Sequence, residues 1–541
     1  MKTVLLFTII TLALAGCANQ TTPTGGPQDK TPPLLISSIP TNNQKNFKGN
    51  KIELVFNEAV QLREAKEQII ITPTPGKEIT FSAKKNSVFV EPETKWKDST
   101  TYSIIFRESV RDLTEANPAL NLKLAFSTGP YIDSLSIGGS VHETLSEKIP
   151  ENITIALYQS DTFDIFKHSP SYFTKSNKFG KFKIENLKNG RYYIYAFDDK
   201  NKNLKVESTN EKYGFISLPI NLQSNKDSLS ISLIALDARP IKLNSARGNQ
   251  QMTTVRFNKG LTSYTAQLYK PHPTSNSYGA NQSEIIFYHY SPIPKNDSIA
   301  VQLIAIDSLN QKFDSLIYLK ESENKYSKDK FTVSIAAPSF DFETSTILIE
   351  GKTNKTVKRF TLDSLVIKVD TLFTVPVFQN EIENDTLHHK FRISKKIDRK
   401  PIPSRIKSLG INYNKAFLIS NEGDSSKQVK ADVTLYTVEE LGILSVEVKT
   451  KAPDFEVELL NSENQSIASF KNKKKHVFKN LLPREYKIRA YIDANKNGRW
   501  DPGNINNREE PEKTFFYQTL EKKFSFPIRA NWELGPLLLI F

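Results

Sequence analysis

Short runs of alternating apolar and polar residues, each closed by a turn signal, recur along the chain and confine it to β-structure. Residues 51–58 read KIELVFNE, residues 87–91 SVFVE and residues 101–106 TYSIIF, with Pro75-Gly76 and Lys97-Asp98-Ser99 marking turns between them. Residues 284–290 (EIIFYHY), 300–306 (AVQLIAI), 345–350 (STILIE) and 364–369 (SLVIKV) continue the pattern. Aromatic side chains suit a pleated, half-buried surface, and the chain has 33 Phe and 20 Tyr against 2 Met. At roughly 100 to 150 residues per domain, 541 residues make four or five units. The expectation is an all-β chain of tandem sandwiches, strung as modules suited to reaching and contacting.

The N-terminus carries an address. Lys2 is followed by an apolar run from Val4 to Leu14, the layout of a secretory signal peptide and too short to span a membrane. Leu14, Ala15, Gly16 and Cys17 then match the lipobox of bacterial lipoproteins, in which Cys17 becomes the lipidated first residue of the mature chain. Cys17 is the only cysteine, so the mature domains have neither a disulfide nor a free thiol and depend on their cores. The resemblance implies removal of residues 1–16, three acyl chains on Cys17 and an outer-membrane destination, because Ala18 is not the Asp of inner-membrane retention. Residues 17–33, rich in Thr, Pro, Gly and Asn, read as the lipidated residue and a flexible tether.

Pro23-Thr24-Gly25-Gly26-Pro27-Gln28-Asp29, followed by Pro32-Pro33, resembles the opening of Bacteroidota lipoproteins that carry this segment before an Ig-like domain. Residues 34–130 resemble the SbsA-type bacterial Ig-like domain in Ser38-Ile39-Pro40, in Phe56, Glu58 and Val60, in residues 100–104 and in the Asp-containing turn at Asp112. That family has a Gly before the Asn of this turn, whereas this chain reads Glu115-Ala116-Asn117, which puts the turn's detail in question but not the fold.

An internal repeat follows. Asn186-Leu187, Gly190, Tyr192 and a strand ending in Asp198-Asp199 are echoed by Asn480-Leu481, Glu485, Tyr486 and a strand ending at Asp493. Glu211 and Glu512 follow the two loops. Both copies, residues 131–238 and 441–541, resemble the transthyretin-like or carboxypeptidase-regulatory-like sandwich. Pattern alone fills the interval with two more sandwiches, residues 239–335 and 336–440.

The loop after the second repeat invites a cation. Asp493, Asn495, Asn497 and Asp501 fall at positions 1, 3, 5 and 9 with Gly498 at 6, the spacing of an oxygen-lined Ca²⁺ loop. Asn504 stands where an EF-hand has a bidentate Glu, leaving Glu509, Glu510 or Glu512 to supply it. The alternative is a turn held by Asx hydrogen bonds and a left-handed Gly. The first copy keeps Asp199, Asn201 and Asn203 but has Leu204 in place of the Gly.

Catalytic signals are sparse: the chain lacks GxSxG, HExxH, Walker and GxGxxG motifs. His388-His389, read as neighbours on a strand, would point to opposite faces and lie in solvent. The net charge of +14 suits anionic lipid, lipopolysaccharide or acidic protein surfaces, and export makes nucleic acid an unfitting partner. The basic run from Lys471 to His476 reads as a solvated hairpin tip. Asp-Ser/Thr pairs such as Asp227-Ser228 and Asp363-Ser364 resemble Bacteroidota O-glycosylation acceptors, or serve as plain turns. The expected role is a non-catalytic binding or scaffold lipoprotein accompanying an outer-membrane barrel protein; a glycan binder and a Ca²⁺-stiffened adhesin are the alternatives.

Overall fold

The computed structural model describes residues 28–541 except 76–77, 250, 280, 295–296, 321–329, 342–343, 369–373 and 398–406. Among these, 43 strands are accompanied by the four-residue helix Ala65–Gln68 and four 3₁₀ turns. No described helix is long and apolar enough to cross a membrane. The lipobox residues Leu14, Ala15, Gly16 and Cys17 lie outside the described residues.

The strands pair into facing sheets around five separate apolar cores. In the first sandwich, strands Leu35–Ile39, Ile52–Phe56, Ser87–Pro92 and Ile79–Lys84 face Ile70–Thr72, Thr101–Ile105 and Lys123–Ser127. Alternation drives the packing: Ile52, Leu54 and Phe56 are fully buried, while Glu53 and Val55 between them are half-buried. Trp96 meets Tyr102 edge-on at 4.7 Å and donates its indole N–H to Asn50 O at 2.9 Å, so its one polar atom is satisfied within the core. Asp29 is already tied to this sandwich, its carbonyl accepting from Asn117 Nδ2 at 2.9 Å. Asp29, within the stretch 17–33 expected to be a tether, is thus in contact with the first sandwich.

The turn that departs from the Gly-containing pattern is held by one carboxylate. Asp112 accepts the backbone N–H groups of Glu115, Ala116 and Asn117 at 2.8, 2.8 and 3.0 Å. Burial raises its pKa, but these donors outweigh burial and leave it lowered. Ala116 takes φ +62°, the left-handed conformation that a Gly adopts freely.

The second and fifth sandwiches share one topology. Strand Leu135–Glu143 lies between Lys181–Leu187 and Lys226–Leu233, and Gly442–Lys449 lies likewise between Lys475–Leu481 and Glu533–Ile540. In both, the last strand is parallel to the central one. The facing sheets, built around Thr154–Tyr158 with Gly190–Phe197 and around Phe455–Leu460 with Glu485–Ile492, also match strand for strand. The repeated residues explain themselves. Asn186 and Asn480 take φ +59° and +56° at the bend, and Tyr192 and Tyr486 donate their hydroxyls back to Lys188 O and Leu482 O. The basic run 471–475 is exposed as expected, but it joins the two facing sheets instead of closing a hairpin within one.

Between the repeats, the third sandwich sets strands such as Glu284–His289 against Ser298–Ile306, and the fourth sets Thr346–Thr353 against Ser408–Tyr413. Strand Val333–Ile335 pairs with Thr346–Thr353, so the boundary expected between 335 and 336 falls earlier, before the half-buried Phe331 of the fourth core. Nor do the modules hang as a string, because the fifth sandwich folds back onto the second and third. Exchanging Ala116→Gly relieves the left-handed Ala and stabilises the first sandwich by about 1 kcal/mol; urea unfolding followed through Trp96 checks the sign.

Candidate functional site

The residues expected to line a cation loop do converge. Asp493 Oδ1 and Oδ2 accept the N–H groups of Asn497 and Gly498 at 3.0 and 2.8 Å. Asn495 and Asn497 both aim Nδ2 at Asp501 Oδ2, each at 2.6 Å. Glu512 closes the loop from below, accepting Ala494 N–H at 2.6 Å and Asp501 N–H at 3.0 Å. Burial pushes Glu512 above the usual carboxylate range, reinforced by the charges of Asp501 and Asp493 and opposed by its two N–H donors. Gly498 supplies the left-handed turn at φ +78°.

The first copy repeats this skeleton bond for bond. Asp199 accepts from Asn203 and Leu204 N–H, Asn203 Nδ2 donates to Glu207, and Glu211 accepts Lys200 and Glu207 N–H at 2.9 and 2.7 Å. Leu204 adopts φ +59° where the second copy has Gly498. In both copies the loop's own N–H groups engage most of its oxygens, Glu207 Oε2 of the first copy being an exception. Among the described residues no group of three or more His, Cys, Asp or Glu side chains is arranged to hold a metal ion. In this geometry the two loops are carboxylate-pinned turns.

What the C-terminal loop launches is more consequential. After Asp501 the chain extends an arm through Gly503, whose φ of +73° and close approach to Glu509 O leave no room for a Cβ. The 3₁₀ turn Ile505–Asn507 follows, capped by Asn504, whose side chain accepts from Asn506 N–H. Ile505 and Trp500 join an apolar cluster with Tyr195, Phe197, Tyr213 and Phe215 of the second sandwich and Leu309 of the third. Asn504 Nδ2 donates to Leu309 O at 2.8 Å. Arg508 donates to Ser217 O, Ile216 O and Tyr195 Oη at 2.9, 3.2 and 3.1 Å, and its guanidinium lies 4.9 Å from the centre of the Tyr193 ring. Glu510 accepts Ser217 N–H at 2.8 Å.

A second contact lies alongside. Glu147 of the second sandwich pairs with Lys487 of the fifth and accepts from Asn464 Nδ2, while Arg489 donates to Leu145 O at 3.1 Å. Arg489 is also held by Glu458 at 2.7 Å. Sequence reasoning found the loop but not this docking. Arg508, Asn504 and Glu147 carry no local periodicity or motif, and their partners lie about 200 to 340 positions away.

The histidines were also placed differently from expectation. His388-His389 sits in the turn after strand Ile382–Asp385, not on a strand. His388 bonds Asp385 at 2.8 Å and stacks on Tyr278. His389 is 3% exposed and wedged between the third and fourth sandwiches, its Nε2 bonded to Ser277 and Thr356 hydroxyls at 3.0 and 3.1 Å. Burial brings its imidazole down to about 4. His142 bonds Ser230 and Ser232 through its two nitrogens. His389 Nδ1 has no partner and His142 bonds only hydroxyls, so neither of these two forms a Ser–His–carboxylate relay.

Residues 29–128 match the family described as the bacterial Ig-like domain, Big_5. The match covers the first sandwich and leaves the remaining four unassigned. No curated protein matches the chain. Among solved structures, the surface layer protein SbsC, domains 1–6, aligns over 94% of this chain and 68% of its own, at 11% identity and TM-score 0.15. BcpA, the major pilin subunit of Bacillus cereus, aligns over 76% and 99% at 9% identity and TM-score 0.13. Dimeric latent PorU from Porphyromonas gingivalis aligns over 54% and 35% at 7% identity and TM-score 0.21. Scores this low describe no shared overall shape.

Two expectations follow. Arg508→Ala strands two carbonyls and removes the guanidinium from the tyrosine faces, weakening the docking by roughly 1.5–3 kcal/mol; amide hydrogen exchange at Ser217 and along Tyr213–Phe215 accelerates. The folded-state pKa of His389 lies below its unfolded value of about 6.5. Its contribution is therefore present above that value and is lost as pH falls through about 4. His389→Gln flattens this acid sensitivity in thermal melts recorded between pH 7 and 4.

Proposed function

We propose that this chain is a non-catalytic scaffold or binding subunit anchored to the outer membrane through lipidated Cys17. Its role is that of an accessory component of a complex built on an outer-membrane barrel protein, in barrel assembly, transport or secretion. The observation that carries this reading is the cross-braced frame. A fifth sandwich tied to both the second and the third holds their faces in fixed relation, as a subunit that positions partners requires. The first and second sandwiches are also joined, through Thr74 N–H to Ser171 O at 2.8 Å, Arg107 to Asn152 at 2.7 Å and Lys123 to Glu185 at 2.7 Å.

From Cys17 to Asp29 the chain spans at most roughly 40 Å whatever its conformation. The first sandwich is therefore kept within that distance of the lipid. The net charge of +14 favours acidic partner surfaces on approach.

A glycan-binding role draws less support from the tryptophans, although Tyr131, Tyr269 and Tyr290 are exposed. Trp96 is 6% exposed and Trp500 packs in the shared cluster, its indole N–H donated to Glu512 O at 2.9 Å. Trp532 is 56% exposed and lies beneath Arg529 at 4.8 Å.

A mild-detergent pull-down of the tagged chain from its native outer membrane, with quantitative mass spectrometry, tests the proposal. The expected result is a barrel protein at near-equal stoichiometry, and a Cys17→Ala chain that leaves the membrane fraction. Recovery of the chain alone overturns the accessory role and moves weight to glycan binding or adhesion.

A further inference from the structure

Two imidazoles lie together on one face of the third sandwich. His289 ends strand Glu284–His289, and His272 stands just before the neighbouring strand Thr274–Tyr278. The antiparallel register pairs Thr274 with His289, and Tyr290 N–H donates to Pro273 O, so residues 272 and 289 are diagonal neighbours on the same face. Their ring centroids are 5.8 Å apart and the planes cross at 81°.

Both Nδ1 atoms are buried, and neither has a hydrogen-bond partner. His289 as a residue is only 6% exposed. Buried ring nitrogens are ordinarily satisfied, and two unsatisfied ones side by side point to a shared ligand. The opposite edge of His289 is fixed, because Nε2 is hydrogen-bonded to the hydroxyl of fully buried Thr253 at 2.9 Å. That is the arrangement by which proteins orient a metal-binding imidazole: one nitrogen held by a protein partner, the other left to the ion. A cavity of about 600 Å³ opens on the His289 side, at the junction with the fourth sandwich, lined also by Asn249, Gln251 and Asn421 but not by His272.

We propose that His272 and His289 form a binding site for a borderline divalent transition-metal ion of the zinc class, held through the two Nδ1 atoms with water completing the shell. Imidazole favours zinc, copper and nickel over hard cations such as Ca²⁺, which seek oxygen. Two protein ligands make an exchangeable site, not a closed structural one of four. This site is separate from the turns at Asp199 and Asp493 and from the docking arm.

The test is a titration of zinc chloride into the full lipidated chain in detergent micelles, read by calorimetry and by metal analysis after equilibrium dialysis. One ion binds per chain. His272→Gln weakens binding at least tenfold, as does His289→Gln. His272 is only half-buried and outside a strand, so its variant retains the fold, which circular dichroism verifies. Zinc raises the melting temperature of the parent chain but not of the His272→Gln chain, and excess Ca²⁺ does not compete. Failure to bind at 1 mM zinc, or binding by folded His272→Gln equal to that of the parent, overturns the assignment.

Discussion

The molecule depends on a side chain that arrives from far along the sequence. Ile505, carried on an arm of the fifth sandwich, is 9% exposed among aromatic residues of the second sandwich and beside Leu309 of the third. Burying such a side chain is worth about 1.5–3 kcal/mol, and the polar rim around it is nearly complete. Arg508 takes up carbonyls that the end of strand Tyr213–Phe215 leaves free, Glu510 takes up the adjacent N–H, and Asn504 reaches the third sandwich. Apolar contact supplies the drive, and the hydrogen bonds fix where the arm can sit.

This contact changes what five sandwiches can do. Modules joined only by single linkers move independently by default. Here the loop that follows the repeated strand serves as a strut in the fifth sandwich, while the equivalent loop in the second, with the same carboxylate-pinned turn, extends no arm and meets the first sandwich through the Lys202–Glu67 ion pair. One domain type has thus been used twice, once as the base of a joint and once as the part inserted into it. The buried contact of His389 with Ser277 and Thr356 adds a further junction, between the third and fourth sandwiches. A frame of this kind suits a subunit that presents several surfaces in a fixed relation.

Local features were legible in the sequence and distant ones were not. The strand Glu284–His289 coincides with the run read at residues 284–290, because such a pattern is a property of consecutive residues. The repeat was legible for the same reason: Asn186 and Asn480 mark a bend, and Tyr192 and Tyr486 mark the hydroxyl bond that holds it. Asp493, Asn495, Asn497 and Asp501 share one loop because their spacing is local, but spacing does not say whether oxygens face an ion or the loop's own N–H groups. His389 was misplaced because a two-residue pair on a turn looks like a pair on a strand. Arg508 was invisible, since neither its charge nor its neighbours announce carbonyls some 290 residues away. The bond from Asn117 to Asp29 was hidden in the same way.

The central claim is that the fifth sandwich is docked and not hanging free. Spin labels at an exposed position of the second sandwich, Asn189, and one of the fifth, Leu520, would report their separation by pulsed electron resonance, since both are exposed and neither adjoins a residue of the docking bonds named above. The account predicts one narrow distance distribution that broadens when Arg508→Ala and Ile505→Ala are combined. A broad distribution in the parent chain, unchanged by the pair of substitutions, would contradict it.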